Sequence, residues 1–209
     1  MKILAIITAR KNSRRLKDKN KKILGNKPLV SWTIDFAKRI KVFKDILITT
    51  DDEEIFKISK EKKILVPWLR PKKIALDNTS SYSTVIHSLK WYENKISNID
   101  CICLLQPTSP FRSKKNLLEA IKIFKGTKNS VISVMLKKVK KNNLNIKDKN
   151  KFNNIFIPSG SFFLISPKEL RKYKNFINEK NNLYLISNFK ENIDINTIND
   201  WKNAKRHVS

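Results

Sequence analysis

Between residues 10 and 19 the chain gathers Arg10, Arg14, Arg15, Lys17 and Lys19 directly behind an apolar run, Ile3-Leu4-Ala5-Ile6-Ile7. A buried strand that empties into a cationic loop can hold a nucleotide triphosphate, which needs several cations and free backbone N–H groups around it. The loop contains no glycine, so it is neither a Walker loop nor a dinucleotide fingerprint. The other reading is a solvated loop in a lysine-rich protein. A second apolar run, Cys101–Leu105, empties into Gln106-Pro107-Thr108-Ser109-Pro110. Two prolines stiffen that loop, and the Gln106 amide both donates and accepts, which suits sugar hydroxyls. A plain structural turn fits it equally well.

Two further groups stand out. In Ile193-Asp194-Ile195-Asn196-Thr197, extended alternation puts Asp194 and Asn196 on one side. A carboxylate and an amide oxygen are hard ligands suited to Mg²⁺ that substrate phosphates also hold. The alternative is a surface Asp followed by a helix N-cap at Asn196. Arg70-Pro71 precedes Asp77 and the hydroxyl run Thr79-Ser80-Ser81-Tyr82-Ser83. Part of that run must cap a helix, and Arg70 could offer its fork to a cytosine edge. His87 is read as a structural histidine with its hydrogen bonds met.

The elements that must position these groups alternate. Strands are expected at 2–8, 45–50, 64–66, 99–105, 130–135, 160–165 and 183–187. Helices are expected from Pro28 to Ile40, from Asp51 to about Lys62, and over 79–92, 113–124, 167–173 and 197–206. Ser113 reads as an N-cap, and Pro28 as a first helical residue. The β-α order predicts an α/β fold: a mainly parallel sheet with helices on both faces. Its carboxyl edge would carry both loaded strand ends in one cleft. The stretch from Lys137 to Asn154 is lysine- and asparagine-rich and reads as an exposed loop or weak hairpin.

At 209 residues the chain is expected to form one domain over 1–209, with a variable segment at 136–156. No apolar run approaches the roughly 18 residues of a membrane span. The N-terminal run reads as a strand rather than a signal peptide. Cys101 and Cys103 share one strand face and read as buried reduced thiols, in keeping with a cytoplasmic protein. The net charge is +27, from 45 Lys+Arg against 18 Asp+Glu. The lysines are spread along the chain and do not interleave with aromatics, so no specific nucleic-acid partner is expected.

These groups, in this order, resemble the acylneuraminate cytidylyltransferase family, which makes CMP-sialic acid and bacterial CMP-legionaminate and CMP-pseudaminate. The matching segments are Ala9-Arg10-Lys11-Asn12-Ser13 with Lys19-Asn20, Asn26-Lys27-Pro28-Leu29, Thr49-Thr50-Asp51, Arg70-Pro71 with Asp77 to Ser81, Leu104 to Arg112, and Asp194-Ile195-Asn196-Thr197. The resemblance implies Mg²⁺-dependent transfer of CMP from CTP to a nonulosonic or other 2-keto sugar acid, with pyrophosphate released. It implies an α/β, Rossmann-like nucleotidyltransferase fold and a homodimer.

By the same resemblance, Arg10 and Lys19 hold the triphosphate, with Ala9, Ser13, Arg14 and Asn20 around it. Arg70 and Ser81 face the cytidine. Gln106, Ser159 and Phe163 contact the sugar, and Asp194 and Asn196 hold Mg²⁺. The chain departs from the family pattern at four places, one of them a shortened variable segment at 136–156. Arg15 stands where glycine is common, Asn196 stands for a second Asp, and Ile157-Pro158-Ser159-Gly160 lacks an Arg and an Asn. A catalytically weakened relative that binds nucleotide or a partner is the alternative; a basic nucleic-acid binder is a third.

Overall fold

A computed structural model describes residues 1–140 and 152–208. Strand β1 (Ile3–Ala9) is central and buried on both faces. Ile3, Ala5, Ile7 and Ala9 enter one hydrophobic cluster, and Leu4 and Ile6 enter the cluster on the other face. A strand covered on both sides must be apolar at consecutive positions, as this one is. A short ribbon follows, β2 (Ile23–Leu24) and β3 (Lys27–Pro28), turning at Gly25 with φ +64°. Helix α1 (Leu29–Arg39) starts one residue later than expected, with Pro28 at the N-cap.

Strand β4 (Phe43–Thr50) leads to α2 (Glu53–Glu61), where Asp52 caps the amides of Glu54 and Ile55. The strand expected at 64–66 is reduced to one parallel bridge, Leu47 to Leu65. A single 3₁₀ turn (Lys72–Ile74) precedes α3 (Ser81–Lys95), capped by Ser80. Strand β5 (Cys101–Leu105) is wholly buried, and Ser113 caps α4 (Lys114–Thr127) as expected. Both cysteines of β5 are free and buried in the same cluster, and burial pushes their thiol pKa values up.

Strands β6 (Val131–Lys140) and β7 (Phe152–Ile165) pair antiparallel out to Lys140 and Phe152. The expected weak hairpin is therefore a long one, and its tip lies outside the described residues. Helix α5 (Pro167–Tyr173), strand β8 (Asn182–Leu185) and helix α6 (Ile198–Lys205) complete the chain. The six-stranded sheet has the order β4-β1-β5-β7-β6-β8. All its pairings are parallel except those of β7, which runs against both β5 and β6. This reversal brings Gly160, past the middle of β7, to the carboxyl end of β5.

A third, smaller cluster anchors the site. Leu16 of the basic loop, Phe111 beyond the Gln106 loop, Ile193 and Ile195 of the C-terminal segment, and Trp201 of α6 pack together. Three stretches distant in sequence are thereby held at one edge of the sheet. Among the described residues no helix is long and apolar enough to cross a membrane.

Candidate active-site cleft

The carboxyl ends of β1, β4 and β5 open into a cleft of about 710 Å³. The cleft is built from four stretches. The loop after β1 supplies Arg10, Ser13, Arg14, Arg15, Lys19 and Asn20; the segment leading into α3, with that helix's first residue, supplies Arg70, Asp77 and Ser81; the loop after β5 supplies Gln106; the C-terminal segment supplies Asp194 and Asn196. The structure thus assembles the nucleotide and metal residues expected from sequence, with two adjustments. Ala9 is buried in the core and reaches the site only as the end of β1. Lys17 points to another surface depression beside Lys21 and Lys22.

The basic loop turns tightly through Asp18, a non-glycine residue at φ +53°. Asn20 holds its start, donating to the Arg10 carbonyl at 3.0 Å. Lys19 is buried and donates to the Ile195 carbonyl at 2.9 Å and to Asn196 Oδ1 at 3.2 Å. Burial lowers the Lys19 pKa to about 8; Asp194 opposes that shift, and Arg15 and Arg10 add to it. Arg10 and Arg14 both pair with Asp77 across the cleft.

Arg70 is buried at the end of β4, where Nε donates to Thr49 Oγ1 at 3.1 Å and Nη2 to the Thr49 carbonyl. That leaves Nη1 as the edge available to a ligand. Burial brings the Arg70 pKa down to about 10, against the pull of Asp51. His87 lies behind it, edge-on to Trp68 at 4.9 Å, with its pKa lowered by burial and by Arg70 and Lys73. Its Nδ1 has no hydrogen-bond partner among the described residues, so it is a packing histidine rather than one with its hydrogen bonds met.

Gln106 is held from behind. Arg112 donates to the Gln106 carbonyl, to the Ser161 carbonyl at 2.7 Å and to Thr33 Oγ1 at 2.9 Å. Burial takes the Arg112 pKa to about 9. Ser109 donates to the Ser159 carbonyl at 3.0 Å, tying the Gln106 loop to β7. Gly160, at φ +75°, lies so close that a Cβ there would sit 2.8 Å from both Gln106 Oε1 and Ser109 Oγ.

Ser159 and Phe163, expected to contact the sugar, do not line the cleft. Ser159 is fully buried and bonds Ser133 Oγ at 2.8 Å. Phe163 faces the core against Phe176, ring centroids 5.8 Å apart. The pairing of β7 with β5 and β6 explains both positions, because it turns these side chains into the sheet's own packing. The residues missed from sequence are Gly160, Arg112 and Asp77 in its pairing role. Asp77 carries a signal that sequence alone offers: an isolated acid in a hydroxyl-rich, otherwise uncharged turn.

At the position expected from sequence to hold a metal, Ile193 and Ile195 point into the third cluster while Asp194 and Asn196 face the cleft. The helix cap is Thr197, in a reciprocal capping box with Asp200, and not Asn196. Asp194 Oδ2 accepts from the Asn196 amide at 2.5 Å, and its buried Oδ1 has no partner among the described residues. Among the described residues no cluster of three or more His, Cys, Asp or Glu could hold a metal alone. An orphaned carboxylate oxygen at the edge of a polycationic cleft nevertheless fits a hard divalent ion that a phosphate chain also coordinates.

Cations after a first parallel strand, a buried arginine beside the second and two carboxylates, Asp77 and Asp194, define an α/β nucleotidyltransferase-type protein. The cytidylyltransferase family profile matches residues 4–190, and the chain belongs to that family. It is 33% identical over 217 residues to CMP-N,N'-diacetyllegionaminic acid synthase of Legionella pneumophila, covering 96% of this chain and 94% of that one. It is 38% identical over 123 residues to N-acylneuraminate cytidylyltransferase of Escherichia coli, a match covering 59% of this chain and 28% of that protein. Among solved structures, CMP:2-keto-3-deoxy-manno-octonic acid synthetase complexed with CTP shares the fold. Its TM-score is 0.72 at 11% identity, over 99% of this chain and 98% of that one.

Proposed function

We propose that the protein transfers CMP from CTP to a nonulosonic or other 2-keto sugar acid and releases pyrophosphate, with Mg²⁺ as cofactor. The observation that supports this best is the convergence of Arg10, Arg14, Lys19, Arg70 and Asp194 on one cleft beside Gln106. The full-length similarity to a legionaminate-activating synthase points to the same substrate class.

In this reading Arg10, Arg14 and Lys19 take the triphosphate, and Arg70 and Ser81 meet the cytidine. Gln106, fixed by Arg112, meets the sugar. The sugar's anomeric oxygen attacks the α-phosphorus, the new O–P bond forms, and the bond to the β-phosphate oxygen breaks. Arg10 and Lys19 neutralise the charge that accumulates on the leaving pyrophosphate. Asp194 Oδ1 would hold Mg²⁺, whose contribution is charge neutralisation at the phosphates. The side chains themselves supply alignment.

The expected assembly is a homodimer. Leu136 and Phe156, paired across β6 and β7, and Leu183 and Leu185 of edge strand β8 expose apolar side chains that a second copy would cover. The expected location is the cytoplasm, with residues 1–209 as one catalytic domain. The test is a pyrophosphate-release assay with CTP, Mg²⁺ and a panel of nonulosonic acids. Release with a sugar acid and CTP, and much less with UTP, ATP or GTP, supports the reading. No release from the folded protein with any acceptor overturns it.

A further inference from the structure

Asn196 is the junction of the cleft. Its Oδ1 accepts from Lys19 Nζ at 3.2 Å and from Arg15 Nη2 at 3.5 Å, the outer limit of a hydrogen bond. Its amide nitrogen donates to Asp194 Oδ2 at 2.5 Å. The neighbours fix this orientation: a flipped amide would set N–H groups against two cations and an oxygen against a carboxylate. An amide oxygen has two lone pairs, and both are used. Asn196 therefore has none left for a metal ion, whereas Asp194 Oδ1 remains unpartnered.

The charges lining the cleft agree with this. Arg10, Arg14, Arg15, Lys19 and Arg70 line it, against only Asp77 and Asp194. A carboxylate at 196 would lie in contact with Asp194, and two carboxylates that close do not both stay ionised without a cation between them. The amide removes that demand, and Arg15 adds a fork of donors on the same side.

Taking the cleft as a CTP site, we propose that Asn196 is a clamp for Lys19 and Arg15 rather than a metal ligand. The triphosphate then binds without a divalent ion, and the ion is needed only for transfer. Isothermal titration of the whole chain with CTP, and separately with inorganic tripolyphosphate, tests this in EDTA and in Mg²⁺. For wild type, the CTP Kd in EDTA should lie within about threefold of that in Mg²⁺. Asn196→Asp should weaken binding in EDTA by about tenfold or more and recover in Mg²⁺. Arg15→Gln should weaken binding in EDTA more than in Mg²⁺, and it serves if Asn196→Asp melts early.

Wild-type binding that requires Mg²⁺ overturns the proposal. So does an Asn196→Asp protein that keeps wild-type affinity in EDTA. If tripolyphosphate binds in EDTA with this dependence on residue 196 while CTP binds no better than other nucleotides, the clamp stands and the CTP reading fails.

Discussion

Arg10 and Asp77, 67 residues apart in sequence, form an ion pair across the mouth of the cleft. Arg14 meets the same carboxylate. Under the proposed function, Asp77 thus occupies the place at these two arginines that a phosphate would take. A triphosphate must displace it, and the exchange costs part of the binding energy.

Asp77→Asn is therefore expected to tighten CTP binding by about threefold to tenfold, with the gain shrinking as salt screens the partly exposed arginines. Titration calorimetry at two ionic strengths checks it. Weaker binding in a folded Asp77→Asn protein would mean that Asp77 positions the arginines instead.

The Lys19 pKa of about 8 gives CTP affinity a pH dependence. The triphosphate binds the ammonium form, so its binding raises the Lys19 pKa. Affinity is then full below about pH 8 and falls as pH rises through that value, by up to about tenfold per pH unit. Binding measured from pH 7 to 9.5 shows the slope. Lys19→Arg, which stays charged throughout, should flatten it.

Gly160→Ala places a methyl group 2.8 Å from Gln106 Oε1 and from Ser109 Oγ, at a φ of +75°. The expected cost is about 1–3 kcal/mol of stability from backbone strain. Gln106 must also shift, which should raise KM for the sugar acid more than KM for CTP. Thermal melts and steady-state kinetics with each substrate varied separate the two effects.

Asp194→Asn removes the one carboxylate with a free oxygen at the metal position. Turnover should fall by about 10²-fold or more, on the scale of losing one strong transition-state interaction. CTP binding in EDTA should fall little or even improve. Equal turnover in the variant would place the ion elsewhere.

The local sequence was enough to name most of the residues that line the cleft. Arginines behind a buried strand, the braced Gln106 loop and the Ile193/Asp194/Ile195/Asn196 alternation each carry their own pattern of apolar and polar positions. Such a pattern sets which side of an element faces the core. The cap at Ser113 is legible for a related reason: a side-chain oxygen satisfies an amide only two or three residues away.

Strand direction is not local, and it decided the rest. The reversal of β7 comes from pairing with β5 and β6, whose partners are far along the chain. That pairing turned Ser159 and Phe163 into core and brought Gly160 against Gln106. The partners of single charged groups are equally long-range. Asp77 meeting Arg10, and Asn196 joining Lys19, Arg15 and Asp194, depend on the small cluster of Leu16, Ile193, Ile195 and Trp201 that draws loop and C-terminal segment together. The ordered motifs of the sequence pointed to a nucleotide triphosphate through a family resemblance; which charges touch was decided only once three remote segments buried their apolar residues against one another.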